Sequence, residues 1–171
     1  FTKVNGETHV GTVLIDPATG QIDPSWTLQA RTGTNGGRVS VKSIKIINDH
    51  IYLGGIFTHF QGNGASWTYA RNGARLDIDG KPDRTWNPEF NGTVIDIDVD
   101  ENEAYYYAAG YFTRAHDLVV ENAGRLSTEA GAALDQSWTF RHSYLIGKYQ
   151  QTVTAANGRV YFGGSQHSLF G

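Results

Sequence analysis

The chain is 171 residues long, carries a formal net charge of -3 at pH 7 with a pI near 6.0, and contains no cysteine. That charge argues against a general nucleic-acid or anionic-membrane binder, whose footprint is basic. The missing cysteines exclude disulfides, thiolate metal sites and a cysteine nucleophile, and no stretch approaches the roughly 20 apolar residues of a membrane span.

The 21 glycines, 9 tyrosines, 8 phenylalanines and 4 tryptophans favour short strands and tight turns. Glycine admits positive φ, and aromatic rings suit a pleated, half-buried surface. A first repeat copy opens at Phe1-Thr2-Lys3-Val4-Asn5-Gly6. Residues 11–15 read as a strand running to a turn at Gly20, followed by Asp23 and Trp26. Residues 39–47 show a period-two stretch, Asn48-Asp49 supplies a turn, and Ile51-Tyr52-Leu53-Gly54-Gly55 reads as the closing strand. The second copy opens at Phe57-Thr58-His59-Phe60-Gln61-Gly62 and keeps the order: a strand over 74–78, a turn at Gly80, then Asp83 and Trp86. A strand over 94–99, a turn at Glu101-Asn102-Glu103 and a closing Tyr106-Tyr107-Ala108-Ala109-Gly110 complete it. The third opens at Phe112-Thr113-Arg114, with a strand over 124–127, a turn at Gly131, Asp135, Trp138, an Asn157-Gly158 turn and Val160-Tyr161-Phe162-Gly163-Gly164. A fourth begins near Gln166, and no window has a sustained helical period.

Each unit offers about four short strands in about 55 residues, the size of a propeller blade. The expected fold is all-β: about three four-stranded antiparallel blades, a partial β-propeller spanning 1–171 that belongs to a larger or oligomeric propeller. The units are 1–56, 57–111 and 112–165, with the start of a fourth at 166–171. Asp23, Asp83 and Asp135 would accept backbone N–H bonds and hold their turns closed, and Trp26, Trp86 and Trp138 would wedge between neighbouring blades. The chain lacks methionine and opens inside a motif, so the expectation is a piece of a longer protein. Its open edges would be covered by other blades of the parent chain or by a homo-oligomer.

The segments Leu14-Ile15-Asp16-Pro17-Ala18-Thr19-Gly20 through Asp23-Pro24-Ser25-Trp26, Arg75-Leu76 through Trp86, and Arg125-Leu126 through Trp138, with the closing Tyr-x-Gly-Gly-x-Phe-Thr pattern, resemble the delta-60 repeat type of β-propeller along essentially the whole chain. The resemblance implies a bacterial secreted or cell-surface protein with several domains and carries over no catalytic residues. The third copy departs from the pattern at Asp117, where the others have Gly, and has an extra residue before Asp135.

Three features carry candidate chemistry. Asp96, Asp98, Asp100 and Glu101 alternate along a strand into a turn, which suits a hard cation such as calcium; the plainer alternative is a solvated strand face. Trp67 and Tyr69 lie on a Gly-rich insertion outside the repeated tryptophan position, where rings can stack on a sugar or anchor a protein partner, or Trp67 can fold back over its own loop. Lys3, His59 and Arg114 hold one position in successive copies and would form a partly basic rim for an anionic group. The histidines show no metal-ligand spacing, and no Gly-x-Ser-x-Gly elbow or Walker loop is present.

The leading expectation is a non-enzymatic propeller module of a secreted or cell-surface protein acting as an adhesion or interaction scaffold. A protein or glycan would be its ligand. The alternatives are a carbohydrate-binding, lectin-like propeller and a glycan-active hydrolase or lyase.

Overall fold

The structure, a computed structural model, describes residues 1–33, 37–143, 149–165 and 168–170, with the side chains of 141–143 and 168–170 excepted. Of the fourth copy, Gln166, His167 and Gly171 lie outside the described residues. The described chain is all-β with no helix. In order, the strands are β1 (Lys3–Val4), β2 (Glu7–Thr8), β3 (Gln29–Arg31), β4 (Ser40–Ile47), β5 (His50–Ile56), β6 (His59–Gln61), β7 (Thr68–Tyr69), β8 (Gly73–Asp77) and β9 (Val94–Val99). They continue with β10 (Tyr105–Gly110), β11 (Arg114–Ala115), β12 (Leu118–Val119), β13 (Ala123–Ser127), β14 (Arg141–Ser143), β15 (Tyr149–Ala156), β16 (Arg159–Ser165) and β17 (Ser168–Phe170).

These strands make several small antiparallel sheets. The larger ones are β4-β5-β8, β9-β10-β13 and the pair β15-β16; the smaller ones are β1-β2, β3-β6-β7, β11-β12 and β14-β17. Isolated bridges Leu76↔Pro82 and Leu126↔Leu134 begin a fourth strand beside β8 and β13. Residues 11–15, which read as a strand from sequence, keep a single bridge, Ile15↔Ile22, and among the described residues no strand pairs with their other edge.

Turn chemistry sets the hairpins. Asn157 and Gly158 both have positive φ, 53° and 69°, and join Ala156 to its partner Arg159 as a two-residue loop whose twist suits the flanking strands. The repeated glycine that closes β5 and β10 answers a close approach. A Cβ on Gly55 would stand 2.1 Å from the Ser40 carbonyl oxygen, and one on Gly110 would stand 2.2 Å from that of Thr93. Both lie where the ladder to the preceding strand shifts register.

A sheet of three short strands cannot bury a face alone, and the core accordingly lies between sheets. One cluster joins Tyr52 of β5 to Val94, Ile97 and Val99 of β9 and to Tyr106 of β10; others gather around Leu53, Phe57 and Phe60 and around Tyr107 and Val153. Trp86 sits in the first cluster, fully buried. Its ring meets Tyr52 edge-on at 5.4 Å and Tyr106 at 4.9 Å, and its indole N–H donates to the Ser127 carbonyl at 3.0 Å. Trp138 takes the matching seat between Tyr107, at 6.0 Å, and Phe162, at 5.8 Å. Trp26 is only half-buried; its N–H donates to Thr12 Oγ1.

The turn before each indole is held in the same way three times. Asp23, Asp83 and Asp135 accept from the backbone N–H and the hydroxyl of Ser25, Thr85 and Ser137. Arg75 and Arg125 add ion pairs to Asp83 at 2.6 Å and Asp135 at 2.5 Å. The first copy has Leu14 in that place.

Removing a buried indole leaves a cavity between two sheets, so Trp86→Ala is expected to cost about 3–5 kcal/mol. Trp26→Ala should cost less, because part of its ring already faces water. Urea unfolding midpoints measure the difference, and equal losses would remove the special standing of Trp86.

Candidate functional site

The three-stranded sheet β3-β6-β7 turns one face inward and one outward by simple alternation. Ala30, Phe60 and Thr68 are buried beneath it. The outer face carries Gln29 and Arg31, then His59 and Gln61, then Tyr69. Register places Arg31 opposite His59, and His59 opposite Tyr69, so a cation, an imidazole and a phenol form one row across the sheet. The His59 and Tyr69 rings meet edge to face at 5.3 Å. Trp67 arrives from the loop before β7 and lies under the Arg31 guanidinium, 4.2 Å from its ring centroid.

The loop is tied down at several points. Asn63 and Gly64 take positive φ, the Ala65 N–H donates to the Gly62 carbonyl at 2.9 Å, and the Asn63 N–H donates to Thr27 Oγ1 at 3.0 Å. Trp67 therefore covers Arg31 of β3, a residue with no standing in the repeat pattern. A hollow of about 670 Å³ borders the same loop at Gly64 and Ser66 and reaches His50, Lys81 and Arg84.

Burial lowers the His59 pKa from its ordinary value, and the neighbouring Arg31 charge lowers it further. Its Nδ1 lies 2.8 Å from Thr58 Oγ1. Arg31 has no ion pair among the described residues, so its charge is available to an anionic group. Tyr69 is 44% exposed. The row thus offers an aromatic edge, a fixed cation, a neutral imidazole and two amides on one flat face.

Lys3, His59 and Arg114 lie on β1, β6 and β11, each in its own small sheet. No hydrogen bond, ion pair or ring contact joins any two of them, and the Arg114 guanidinium donates to the Asp117 carbonyl at 2.8 Å.

The acidic strand β9 behaves differently from a solvated face. Asp98 is buried and pairs with Lys45 of β4 at 2.7 Å, while its other oxygen accepts from Thr154 Oγ1 and the Ala155 N–H of β15. Asp96 repeats the pattern with Ser43 on one side and Thr152 and Val153 on the other. Both carboxylates tie their own strand to a sheet on each side. Asp100 closes its turn by accepting from the Ala104 and Tyr105 N–H groups, and Glu101 accepts from the Asn157 N–H. These lone pairs meet protein donors, and among the described residues no group of three or more His, Asp or Glu is placed to hold a metal ion.

Glu103 is a partner the repeat pattern does not announce. It stands at positive φ in the β9–β10 turn and reaches Asn48, His50 and Tyr52 of the preceding sheet, at 2.8, 2.5 and 2.9 Å. The repeat pattern does not announce Arg31 either. Its meaning comes from cross-strand register, for which a lone arginine in a loop-flanked segment gives no local sign.

Comparison with known proteins finds no matching family model, no matching curated protein and no matching solved structure. Among the described residues no helix is long and apolar enough to cross a membrane.

The carboxylates that bind the sheets together also set a pH dependence. Burial alone would raise Asp98, yet the Lys45 ammonium and the N–H groups of Ala155 and Val99 bring it below its ordinary value. The Ser137 hydroxyl, then the Arg125 guanidinium, hold Asp135 down to about 2. A depressed carboxylate contributes stability that is complete above its unfolded value, 3.8 here, and is lost as pH falls through the folded one. Unfolding midpoints should therefore fall steeply from about pH 4 towards pH 2, and less steeply in Asp98→Asn. At neutral pH that variant should be only about 1 kcal/mol less stable, because the Lys45 ammonium it leaves unpaired is 37% exposed and stays hydrated. An unchanged acid slope would remove Asp98 from this role.

Proposed function

We propose that this chain is a non-enzymatic interaction module of a secreted or cell-surface protein, built as part of a β-propeller of the delta-60 repeat type. Three features support the propeller reading: small antiparallel sheets follow one another in a fixed order, each packs on the next, and an indole recurs at the junction. The observation that carries the interaction reading is the exposed row of Arg31, His59 and Tyr69 with Trp67 beneath the guanidinium.

Glycan binding is the second reading, and the same face favours it. An exposed phenol, two amide side chains and a cation with no ion pair among the described residues suit a sugar ring bearing an acidic group. A catalytic reading finds less support. Asp98, Glu103, Asp83 and Asp135 all have lowered pKa values and structural donors, so none is held protonated at neutral pH as the acid of a glycosidase must be.

Binding to plate-bound extracellular-matrix proteins and to an array of neutral and acidic glycans tests this surface. Tyr69→Ala and Arg31→Ala should each weaken capture about tenfold or more while leaving the melting temperature near that of the parent chain. Loss confined to acidic glycans selects the second reading. Undiminished capture by both variants would remove the proposed surface.

A further inference from the structure

The middle copy differs from the third at one hairpin. Phe57 and Asn72, which bond to each other, lie 15 residues apart, whereas the corresponding Phe112 and Asn122 lie 10 apart. The extra chain is the loop through Asn63 and Trp67, and its base is pressed on the turn that follows β8: a Cβ on Gly62 would stand 2.5 Å from the Gly80 carbonyl oxygen. Chain packs on both sides of that turn. A Cβ on Gly80 would stand 3.0 Å from the Trp26 ring, and the Gly131 N–H donates to the Thr85 carbonyl at 2.7 Å. The hollow of about 670 Å³ lies between the loop and the turn.

Its two cations are peculiar to this copy. The Asp77 N–H donates to the Lys81 carbonyl as those of Asp16 and Ser127 donate to Gln21 and Ala133, so Lys81 stands where the other copies have neutral side chains. Arg84 follows its turn aspartate, Asp83, where Pro24 and Gln136 follow theirs. Residues that hold the repeat together recur in it, and these two do not. Both are exposed, and neither side chain makes a hydrogen bond or ion pair among the described residues. His50 is fixed from behind by Glu103, which takes its Nδ1 at 2.5 Å and leaves Nε2 without a partner among the described residues. The exposed Ser66 borders the hollow from the loop. Asp77 and Asp83 border it too, but their oxygens already meet donors: the Asp79 and Lys81 N–H groups for the first, Thr85 and Arg75 for the second.

We propose that this hollow binds one acidic sugar unit, a saccharide bearing a sulfate or carboxylate group. The Lys81 ammonium and the Arg84 guanidinium pair with the acidic group. Because the Glu103 carboxylate accepts from the Nδ1–H of His50, the Nε2 lone pair is a fixed acceptor for a sugar hydroxyl, and the Ser66 hydroxyl is a second polar contact. The volume falls within the roughly 300–1,000 Å³ of small-ligand sites. None of Arg31, His59 and Tyr69 lines the hollow, so this site does not depend on the row across β3-β6-β7.

Isothermal titration of the full chain with a sulfated disaccharide, a uronic-acid disaccharide, an uncharged disaccharide and inorganic sulfate tests the site. At least one acidic disaccharide should bind about tenfold or more tightly than the uncharged one and than sulfate alone. Lys81→Gln and Arg84→Gln should each weaken it about tenfold without moving the melting temperature, since neither side chain has a partner to lose. Tyr69→Ala should leave this binding unchanged. Sulfate bound as tightly as the disaccharides would mark a free-anion site and overturn the sugar assignment. No binding of any probe, or binding that Lys81→Gln and Arg84→Gln both leave intact, would overturn the site. Loss through Tyr69→Ala in place of those two would move the sugar to the row, which keeps the glycan reading and overturns this one.

Discussion

Everything in this molecule follows from the inability of a short three-stranded sheet to keep water from either of its faces by itself. The indole of Trp86 resolves that constraint at one junction, held edge-on by Tyr52 on one side and Tyr106 on the other. A ring of this size removes ~150–250 Å² from water, and the buried Tyr52 and Tyr106 beside it add comparable areas. Because the ring touches both sheets, neither can loosen without exposing it. Stability in such an array is a sum of unit terms and neighbour terms, and the neighbour terms here are largely aromatic.

Polar groups add direction to that packing. Asp96 and Asp98 look outward from β9 to both adjoining sheets, and Glu103 reaches back from its turn to three donors of the preceding one. An apolar face tolerates sliding by a residue or a small rotation, whereas a carboxylate with four donors does not. The hydrogen bonds therefore fix how the sheets face each other, while the rings supply most of the favourable free energy. The outer sheet β3-β6-β7 is built oppositely: its buried side is Ala30 and Phe60, and its polar row is left to solvent.

Much of the secondary structure was legible in the sequence, because strand, turn and glycine signals recur in one order. The period-two stretch over 94–99 forms β9 with those bounds, and 39–47 forms β4 less one residue. Residues 11–15 carry the same local signal but form only one bridge, since a strand exists through its neighbour. The acidic run shows a deeper limit. Alternation puts Asp96 and Asp98 on one face, and local spacing suggests only water or a cation beside them. The donors they meet in the fold, Thr152 and Thr154 on one side and Ser43 and Lys45 on the other, lie more than fifty residues away and leave no local sign. The same reason hid Arg31, which meets His59 only through strand register and Trp67 only through a loop.

Native-state hydrogen exchange across a denaturant series tests most directly whether the sheets stand or fall as a unit. Backbone amides of β5 and β10, on either side of Trp86, should open with one common free energy that merges with global unfolding. Two well-separated values, with β4-β5-β8 opening while β9-β10-β13 stays protected, would contradict the coupling assigned to that indole.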